Sequence, residues 1–321
     1  MKISKREQGI LPRVELRADA PLAEHAKATD CFPNQVRYAL HRLETEGVIR
    51  KTVFVDMYRL GFCDYVLYFS IATKEGSPQA KDLLRFLEDS PLVTWVAELS
   101  GSYQYGIALF SRDVHEFVSF LDLFSKEFGQ ILFKKSIRLT RTFTRFNRKY
   151  LDPTAPTDEI SFGLHPGKES IDKTDDLLLQ AITLPGARSL RQTTLKLGIP
   201  VTTGHQRLKR LKERGIIAGH LYAIDAPKFG ATLFNILIYA KGMREPLRKK
   251  LSAWAKKHPN VIHFIECVGE WDFEIGAEVM APEQSADIVR DLFTTFGDEL
   301  LNIDVIPILR NLKYVFYRPV F

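Results

Sequence analysis

The side chains best suited to contact a polyanion are concentrated in residues 202–214. This segment carries five cations, and Leu208 and Leu211 have the i, i+3 spacing of a helix with one apolar face. A helix in the major groove of DNA needs short polar side chains near its N-terminus to reach base edges, and cations along its flank to neutralise phosphates. This chemistry predicts DNA contacts for Thr202, Thr203, His205, Gln206, Arg207, Lys209, Arg210 and Lys212.

A second segment, residues 34–43, has the same plan with fewer cations. It predicts DNA contacts for Asn34, Gln35, Arg37, Tyr38, His41 and Arg42. For either segment the alternative is a solvated charged face with no partner, which is what most charge runs on helices are. The short helix and turn expected before each segment, and the presence of the unit in both halves of the chain, favour DNA.

Two matching turns carry aromatic side chains, residues 101–105 (GSYQY) and residues 269–273 (GEWDF). Each begins with a glycine and lies between two predicted strands. Aromatic side chains beside such a turn are typical of a buried core, so the residues alone indicate turn chemistry rather than a ligand site.

The chain lacks the motifs of several common functions. It contains no P-loop, no G-x-G-x-x-G, no nucleophile elbow and no metal-ligand spacing among its eight histidines. Its three cysteines are odd in number and far apart, which is typical of reduced residues in the cytosol. We therefore expect no cofactor, no metal and no enzymatic activity.

Composition and charge narrow the class of protein further. Over 321 residues, 45% are hydrophobic and 26% are charged, which is typical of a globular protein with more than one domain. The net charge of +6 favours a polyanionic partner without identifying one. The N-terminal MKISKREQG lacks the apolar stretch of a signal peptide, and no apolar run approaches the ~18 residues that span a bilayer. We expect a cytoplasmic protein with no membrane contact.

The sequence repeats itself at a spacing of 168 residues. Matching pairs include Arg42 and Arg210, Gly47 and Gly215, Pro91 and Pro259, Glu98 and Glu266, Gly101 and Gly269, and Phe128 and Phe296. A shared register over this length indicates a tandem duplication. Residues 151–170 lie between the copies and are rich in Pro, Asp and Gly, which predicts a flexible linker with a reach of roughly 25 Å.

Each copy begins with the pattern of three short helices. In the second copy, an acidic pair opens a helix that ends at Pro185-Gly186, Ser189 caps a helix over 190–197, and residues 199–203 form the turn and N-cap of the last helix. Three short helices with a Gly-containing turn before the last are the helix-turn-helix pattern. The first copy repeats this plan over residues 10–49, with Pro12 and Pro21 interrupting its first helix.

The remainder of each copy alternates strands and helices. In the second copy the predicted order is strand 233–240, helix 245–258, strand 261–268, strand 273–279, helix 282–297 and strand 303–308. This βαββαβ order is the ferredoxin-like arrangement, and the first copy shows it from Val66 to about Phe146. Because both helices lie on one face of such a sheet, the two copies are expected to pair sheet to sheet.

The expected fold is α+β, with two tandem copies of a winged/helix-turn-helix domain plus a ferredoxin-like βαββαβ sensor domain. The first copy comprises a helix-turn-helix domain over 1–56 and a sensor domain over 57–150. The linker covers 151–170. The second copy comprises a helix-turn-helix domain over 171–227 and a sensor domain over 228–321.

These residues resemble the Lrp/AsnC (leucine-responsive / asparagine regulator, feast-or-famine) family of transcriptional regulators. The resemblance rests on the acidic-Leu-Leu start at 175–178, on LGIPVT at 197–202, on RLKRLKERGII at 207–217 and on the turn at 269–273. It covers nearly the whole chain outside the linker. Members of the family carry one copy, so the duplication is a departure from the pattern.

The resemblance implies dimers paired through the α+β domains, which assemble further into homo-oligomers. It also implies that an amino acid or similar effector binds near the Gly-aromatic-Asp turn. The corresponding residues are Gly269, Trp271 and Asp272 in the second copy and Gly101, Tyr103 and Gln104 in the first. Gln104 stands where the family has Asp, which weakens the expectation for the first copy.

The expected function is a sequence-specific regulator that binds double-stranded DNA as an intrachain pseudo-dimer and responds to an amino acid or similar small molecule. One alternative is an enzyme, because two-copy chains of this architecture resemble siroheme decarboxylases. Those enzymes have a His-rich, Tyr-containing stretch that residues 94–99 and 262–267 do not match. The other alternative is a small-molecule sensor that no longer binds DNA.

Overall fold

The computed structural model describes residues 2–165, 167, 169–183, 189–242 and 244–321. None of the helices in these ranges is long and apolar enough to cross a membrane. The predicted helix end at Pro185-Gly186 lies outside the described residues.

The first helix-turn-helix unit consists of α1 (Lys5–Val14), α2 (Leu22–Thr29) and α3 (Pro33–Thr45), followed by β1 (Ile49–Val55). Ser4 and Glu7 form a capping box that fixes the start of α1. The helix therefore begins before Ile10, where the sequence pattern was expected to start. Pro12 lies inside α1, in its last turn, where its missing N–H removes the hydrogen bond that would otherwise go to the Gln8 carbonyl.

The second unit consists of α6 (Lys173–Thr183), α7 (Leu190–Lys196) and α8 (Val201–Glu213), followed by β7 (Ile217–Ile224). The predicted cap is confirmed, since the Ser189 side chain accepts a hydrogen bond from the Gln192 N–H. The predicted start of α8 is wrong. Pro200 is the N-cap, so Thr202 and Thr203 lie in the first turn of the helix instead of preceding it.

Both sensor domains have the predicted βαββαβ order. The first contains β2 (Cys63–Ile71), α4 (Pro78–Asp89), β3 (Val93–Leu99), β4 (Tyr105–Ser111), α5 (Val114–Phe128) and β5 (Leu132–Phe146). The second contains β8 (Thr232–Ala240), α9 (Arg244–Lys257), β9 (Val261–Gly269), β10 (Phe273–Val279), α10 (Gln284–Phe296) and β11 (Leu300–Tyr314). The α+β fold of two tandem helix-turn-helix and ferredoxin-like pairs is confirmed.

The two sheets are joined at their edges into a closed barrel. The long strand β5 pairs with β2 of its own copy and then with β9 of the other, and β11 pairs with β8 and then with β3. The ring order is β2-β4-β3-β11-β8-β10-β9-β5. The sheets also share one core, as expected, but β11 is much longer than the predicted 303–308 because its second half pairs with the first copy.

The described residues of the predicted linker, 151–165, 167, 169 and 170, include segments that pack on the rest of the fold. Its residues Glu159–Phe162 form β6, which pairs with β5, and the ring of Phe162 stacks on that of Phe143 with centroids 5.0 Å apart. Asp152 and Asp158 form ion pairs with α1 and the segment after it. The expectation of a flexible tether is wrong, because apolar and charged side chains in this segment find partners in the first copy.

The strand pair β1–β7 joins the two helix-turn-helix units. The strands are antiparallel, with Thr52 opposite Leu221 and Ile49 opposite Ile224. They occupy equivalent places in the two copies, so their antiparallel pairing is that of a pseudo-two-fold dimer within one chain.

Candidate functional site

Helix α8 turns one face inward and leaves its polar face in solvent. Gly204 and Leu211 are buried against the rest of the unit. An added Cβ on Gly204 would lie 2.5 Å from the Thr194 side chain, so the close approach of α7 and α8 requires glycine here. The exposed members of the predicted DNA-binding set are Thr202, His205, Gln206, Lys209, Arg210 and Lys212, while Thr203 and Arg207 are half-buried.

Arg207 is engaged inside the unit. Its guanidinium donates to Asp172 at 2.7 Å and to Asp175 at 2.8 Å, and hydrogen bonds to Asp175 and Asp172 raise the pKa of Arg207. These bonds tie α8 to the start of α6. A DNA contact by Arg207 would require its guanidinium to leave these two carboxylates, and that contact stays a prediction.

The other cations of α8 differ in whether they form ion pairs with other residues of the chain. Lys212 forms an ion pair with Asp19 at 2.6 Å, and Lys209 lies 3.7 Å from Glu213. Arg210 is exposed and forms no ion pair with any residue that the structure describes. Arg210 is thus the cation of α8 that can approach a phosphate without breaking an existing pair.

Helix α3 exposes Asn34, Arg37, Tyr38 and His41. Tyr38 is 71% exposed, which is high for an aromatic side chain. Gln35 is half-buried, and its Oε1 accepts from the Phe32 N–H at the start of the helix.

Arg42 forms an ion pair inside the first unit, and its predicted DNA contact stays a prediction. Its Nε donates to the buried Glu7 at 2.7 Å, which ties α3 to α1. Burial acts to raise the pKa of Glu7, but hydrogen bonds from Arg42 and Ser4 bring that pKa below its ordinary value. Glu7 and Asp175 are equivalent in the repeat, so each unit uses the same acidic position to hold its recognition helix.

The two units are fixed relative to each other by contacts beyond the β1–β7 pair. Lys212 of the second unit pairs with Asp19 of the first, and Arg50 and Thr52 of β1 both donate to the Thr183 carbonyl at the end of α6. These contacts set one spacing between α3 and α8.

The two predicted effector turns are equivalent in structure despite their different residues. The Asp272 Oδ2 accepts from the Ala240 N–H at 2.8 Å, and the Gln104 Oε1 accepts from the Ile71 N–H at 2.8 Å. Ile71 and Ala240 are the last residues of β2 and β8. Gln104 thus replaces Asp in its structural role.

The aromatic side chains of the turns point into the shared core. Trp271 is 1% exposed and Tyr103 is 3% exposed, and both rings pack on Tyr68. The Tyr103 hydroxyl donates to Glu270 of the other turn at 3.2 Å, which brings the two turns together. Gly101 has a φ of 92°, and an added Cβ on Gly269 would lie 2.6 Å from the Ile137 carbonyl oxygen. Effector binding at these turns stays a prediction.

Sequence reasoning missed a cavity of about 160 Å³ inside the barrel. None of the six predicted effector residues lines it. Most of its wall is apolar, but Arg145, His263 and Asn235 also face it. The available signal was the presence of polar residues at inward positions of strands that are otherwise apolar.

Two ion-pair clusters border this cavity. Arg138 donates to Glu274 at 2.9 Å, and Arg148 donates to Glu278 at 2.6 Å and contacts Glu15. All of these side chains are buried. Glu15 is the C-cap residue of α1. Its contact with Arg148 therefore links the end of α1 to the barrel. Among the described residues, no cluster of His, Cys, Asp and Glu side chains could hold a metal ion.

Sequence similarity to known proteins assigns the chain to a family. An HTH-type transcriptional regulator of Pyrococcus furiosus is 31% identical over 125 residues, which cover 38% of this chain and 81% of that protein. The HTH-type transcriptional regulator LrpA of Pyrococcus horikoshii is 33% identical over 66 residues, which cover 21% of this chain and 47% of LrpA. The chain belongs to the Lrp/AsnC family of transcriptional regulators. No protein-family model matches it.

The duplicated architecture of this Lrp/AsnC chain also occurs in a solved structure. The structural match to the siroheme decarboxylase NirDL covers 99% of this chain and 95% of the NirDL chain, with a TM-score of 0.61 and 12% sequence identity. Identity this low shows that the two chains share the fold alone. The fold of this Lrp/AsnC chain is therefore shared with NirDL over nearly its whole length.

Proposed function

We propose that this chain is a sequence-specific DNA-binding regulator whose two helix-turn-helix units address two half-sites. The observation that carries the proposal is the exposed face of α8, where Thr202, Gln206 and Arg210 stand clear of the internal ion pairs. Short polar side chains at the N-terminus of such a helix suit base edges, and a free guanidinium suits a phosphate or a guanine. The effector and the further assembly of the pseudo-dimer belong to this proposal.

The test starts with genome-wide mapping of bound DNA, with and without candidate amino acids. A duplex from a mapped site then serves in a salt titration followed by fluorescence anisotropy. Arg210→Ala should weaken binding and lower the salt slope by roughly one phosphate contact, or about 0.9 in log-log units. The matched control is Arg290→Ala, which removes the same charge from the exposed face of α10. Equal binding and equal salt slopes in both variants would contradict the proposal.

Arg207→Ala serves as a structural comparison. Because Arg207 holds α8 to Asp172 and Asp175, its loss should lower the thermal stability of the second unit as well as DNA affinity. Arg210→Ala should leave the melting temperature within the error of the measurement. A melting temperature that is unchanged by Arg207→Ala would show that the two aspartates do not hold the helix.

One visible absorption spectrum distinguishes the enzyme alternative from the regulator. His263 lies on β9, the second strand of its sensor domain, and faces the cavity together with buried arginines, which is the observation that favours a decarboxylase-like site. However, the cavity is about as large as one that holds a benzene ring, whereas a tetrapyrrole has four linked rings and carboxylate side chains. We expect no change in the visible absorption spectrum of siroheme when the protein is added. A shifted spectrum would favour the enzyme.

A further inference from the structure

Three polar residues of the barrel wall lie in one continuous row. Arg145 on β5 is the cross-strand partner of His263 on β9, His263 is the partner of Gly276 on β10, and Gly276 is the partner of Asn235 on β8. Partners in neighbouring strands lie about 4.8 Å apart, so the row crosses four strands of the inner face. Gly276 leaves room in the middle of the row for the ring of His263.

The row presents hydrogen-bonding atoms that are buried and unused. The Arg145 Nε, both ring nitrogens of His263 and the Asn235 Oδ1 have no hydrogen-bond partner in the described part of the chain. Arg145 and Asn235 are each 3% exposed. Leaving a buried polar group unpaired costs stability, and native proteins rarely leave several together without a reason.

Arg145 is also the least compensated of the three cavity arginines. Arg138 and Arg148 make close ion pairs, but Arg145 lies 3.7 Å from Glu15, and Glu15 is already in contact with Arg148. Its other polar neighbour is the Tyr314 hydroxyl at 3.5 Å. The Arg145 Nε is thus a buried donor without an acceptor among the described residues, and a carboxylate beside it would supply one.

The three first-copy positions that correspond to this row are apolar, although Asp64 and Thr94 of the same copy also line the cavity. Val66, Ala108 and Trp95 stand in the first copy where Asn235, Gly276 and His263 stand in the second, so the two copies contribute different chemistry to the cavity. Asn311 and Tyr314 line the cavity and are themselves exposed, which opens it to solvent beside β11. A ligand for this space needs a polar head on one side and a compact apolar body on the other.

We propose that the barrel cavity binds a small monocarboxylate with a single ring or a short branched apolar body. The carboxylate accepts hydrogen bonds from the Arg145 Nε and from the N–H of His263. The body packs among Phe54, Phe143 and Trp95. With a volume of about 160 Å³, the cavity takes one ring and its carboxylate.

The position of the cavity gives the ligand a route to the helix-turn-helix units. Phe54 and Val55 of β1 and Ala223 and Ile224 of β7 line it. A ligand that fills the cavity therefore contacts the strand pair that sets the spacing of α3 and α8. This coupling rests on the proposed DNA-binding function, whereas ligand binding itself does not.

Benzoate is a suitable probe, with toluene as its uncharged counterpart, in isothermal titration calorimetry of the full chain without DNA. Benzoate should bind at least tenfold more tightly than toluene. Arg145→Met should remove that preference, because one charge-assisted hydrogen bond corresponds to about tenfold in affinity. The matched control is Lys313→Met, since Lys313 is the equivalent residue of β11 and donates to the Glu88 and Ser90 carbonyls instead of lining the cavity. Its benzoate affinity should stay within twofold of the unmodified chain.

A second variant keeps the test decisive if Arg145→Met fails to fold. Ala108→Leu fills the cavity from the first copy and leaves the polar row intact. It should abolish benzoate binding. The proposal is overturned if benzoate does not bind at millimolar concentration, if it binds no better than toluene, or if Ala108→Leu binds it as well as the unmodified chain. Because the titration contains no DNA, a failure of the regulator proposal leaves its result unaffected.

Discussion

The imidazole of His263 occupies the space that a side chain on Gly276 would need. A Cβ added to Gly276 would overlap three atoms of the ring. The first copy seats a ring in a related way, since an added Cβ on Gly106 would lie 2.7 Å from the Trp95 ring. In each copy a glycine on the central strand lets an aromatic ring from the neighbouring strand lie flat against the barrel wall.

Gly276→Ala should therefore destabilise the chain by about 1–3 kcal/mol, because the methyl group displaces the buried imidazole. In the background of His263→Ala the same substitution should cost much less, since the ring is gone. Urea unfolding of the two single variants, the double variant and the unmodified chain gives the four free energies of unfolding of a double-mutant cycle. Effects that add within about 0.5 kcal/mol would show that the glycine is not there for the ring.

Stability should fall in mild acid because of His263. Burial, together with Arg145, Arg138 and Arg148, lowers the pKa of His263 from 6.5 to about 3. Below pH 6.5 the unfolded chain binds a proton that the folded chain does not bind until near pH 3. The free energy of unfolding therefore decreases as the pH falls through this window, by up to about 1.4 kcal/mol per pH unit.

His263→Gln isolates this contribution. Between pH 7.5 and pH 5 the unmodified chain should lose about 2 kcal/mol more of its unfolding free energy than His263→Gln does. Chemical unfolding at the two pH values measures the difference. His115→Gln removes an exposed histidine of α5 and should behave like the unmodified chain. Equal losses in the unmodified chain and His263→Gln would mean that His263 is protonated in the folded state.

The order of the elements could be predicted because each copy carries its own local signals. Ser189 capped a helix as its spacing required, and the βαββαβ order followed from apolar runs between turns. The closed barrel could not be predicted in this way. It depends on β5 and β11 each pairing with two partners, and such non-local pairing leaves no trace in local periodicity.

Helices α3 and α8 show that contacts between single side chains that are distant in the sequence are also hard to predict. On sequence alone, Arg207 and Arg210 are equivalent cations of one basic helix. The structure separates them, because Asp175 lies within reach of Arg207 only. In the first copy the equivalent acid, Glu7, takes Arg42 instead, which is the counterpart of Arg210. A cation that holds a helix and a cation that stays free on its surface differ only in a partner more than 30 residues away.

On sequence, Gln104 is a departure from the family that weakens the expectation for the first turn, but in the structure it supplies the same acceptor as Asp272. This role needs a side-chain oxygen that accepts a hydrogen bond from the N–H at the end of the first strand of the domain. In the first copy the Gln104 side chain supplies that oxygen. Gln104→Glu should thus cost little, because it retains that oxygen. Gln104→Met leaves the Ile71 N–H without its acceptor and should destabilise the chain by about 1–3 kcal/mol. Thermal unfolding of both variants distinguishes the cases, and similar melting temperatures for the two would mean that the hydrogen bond to Ile71 does not hold the turn.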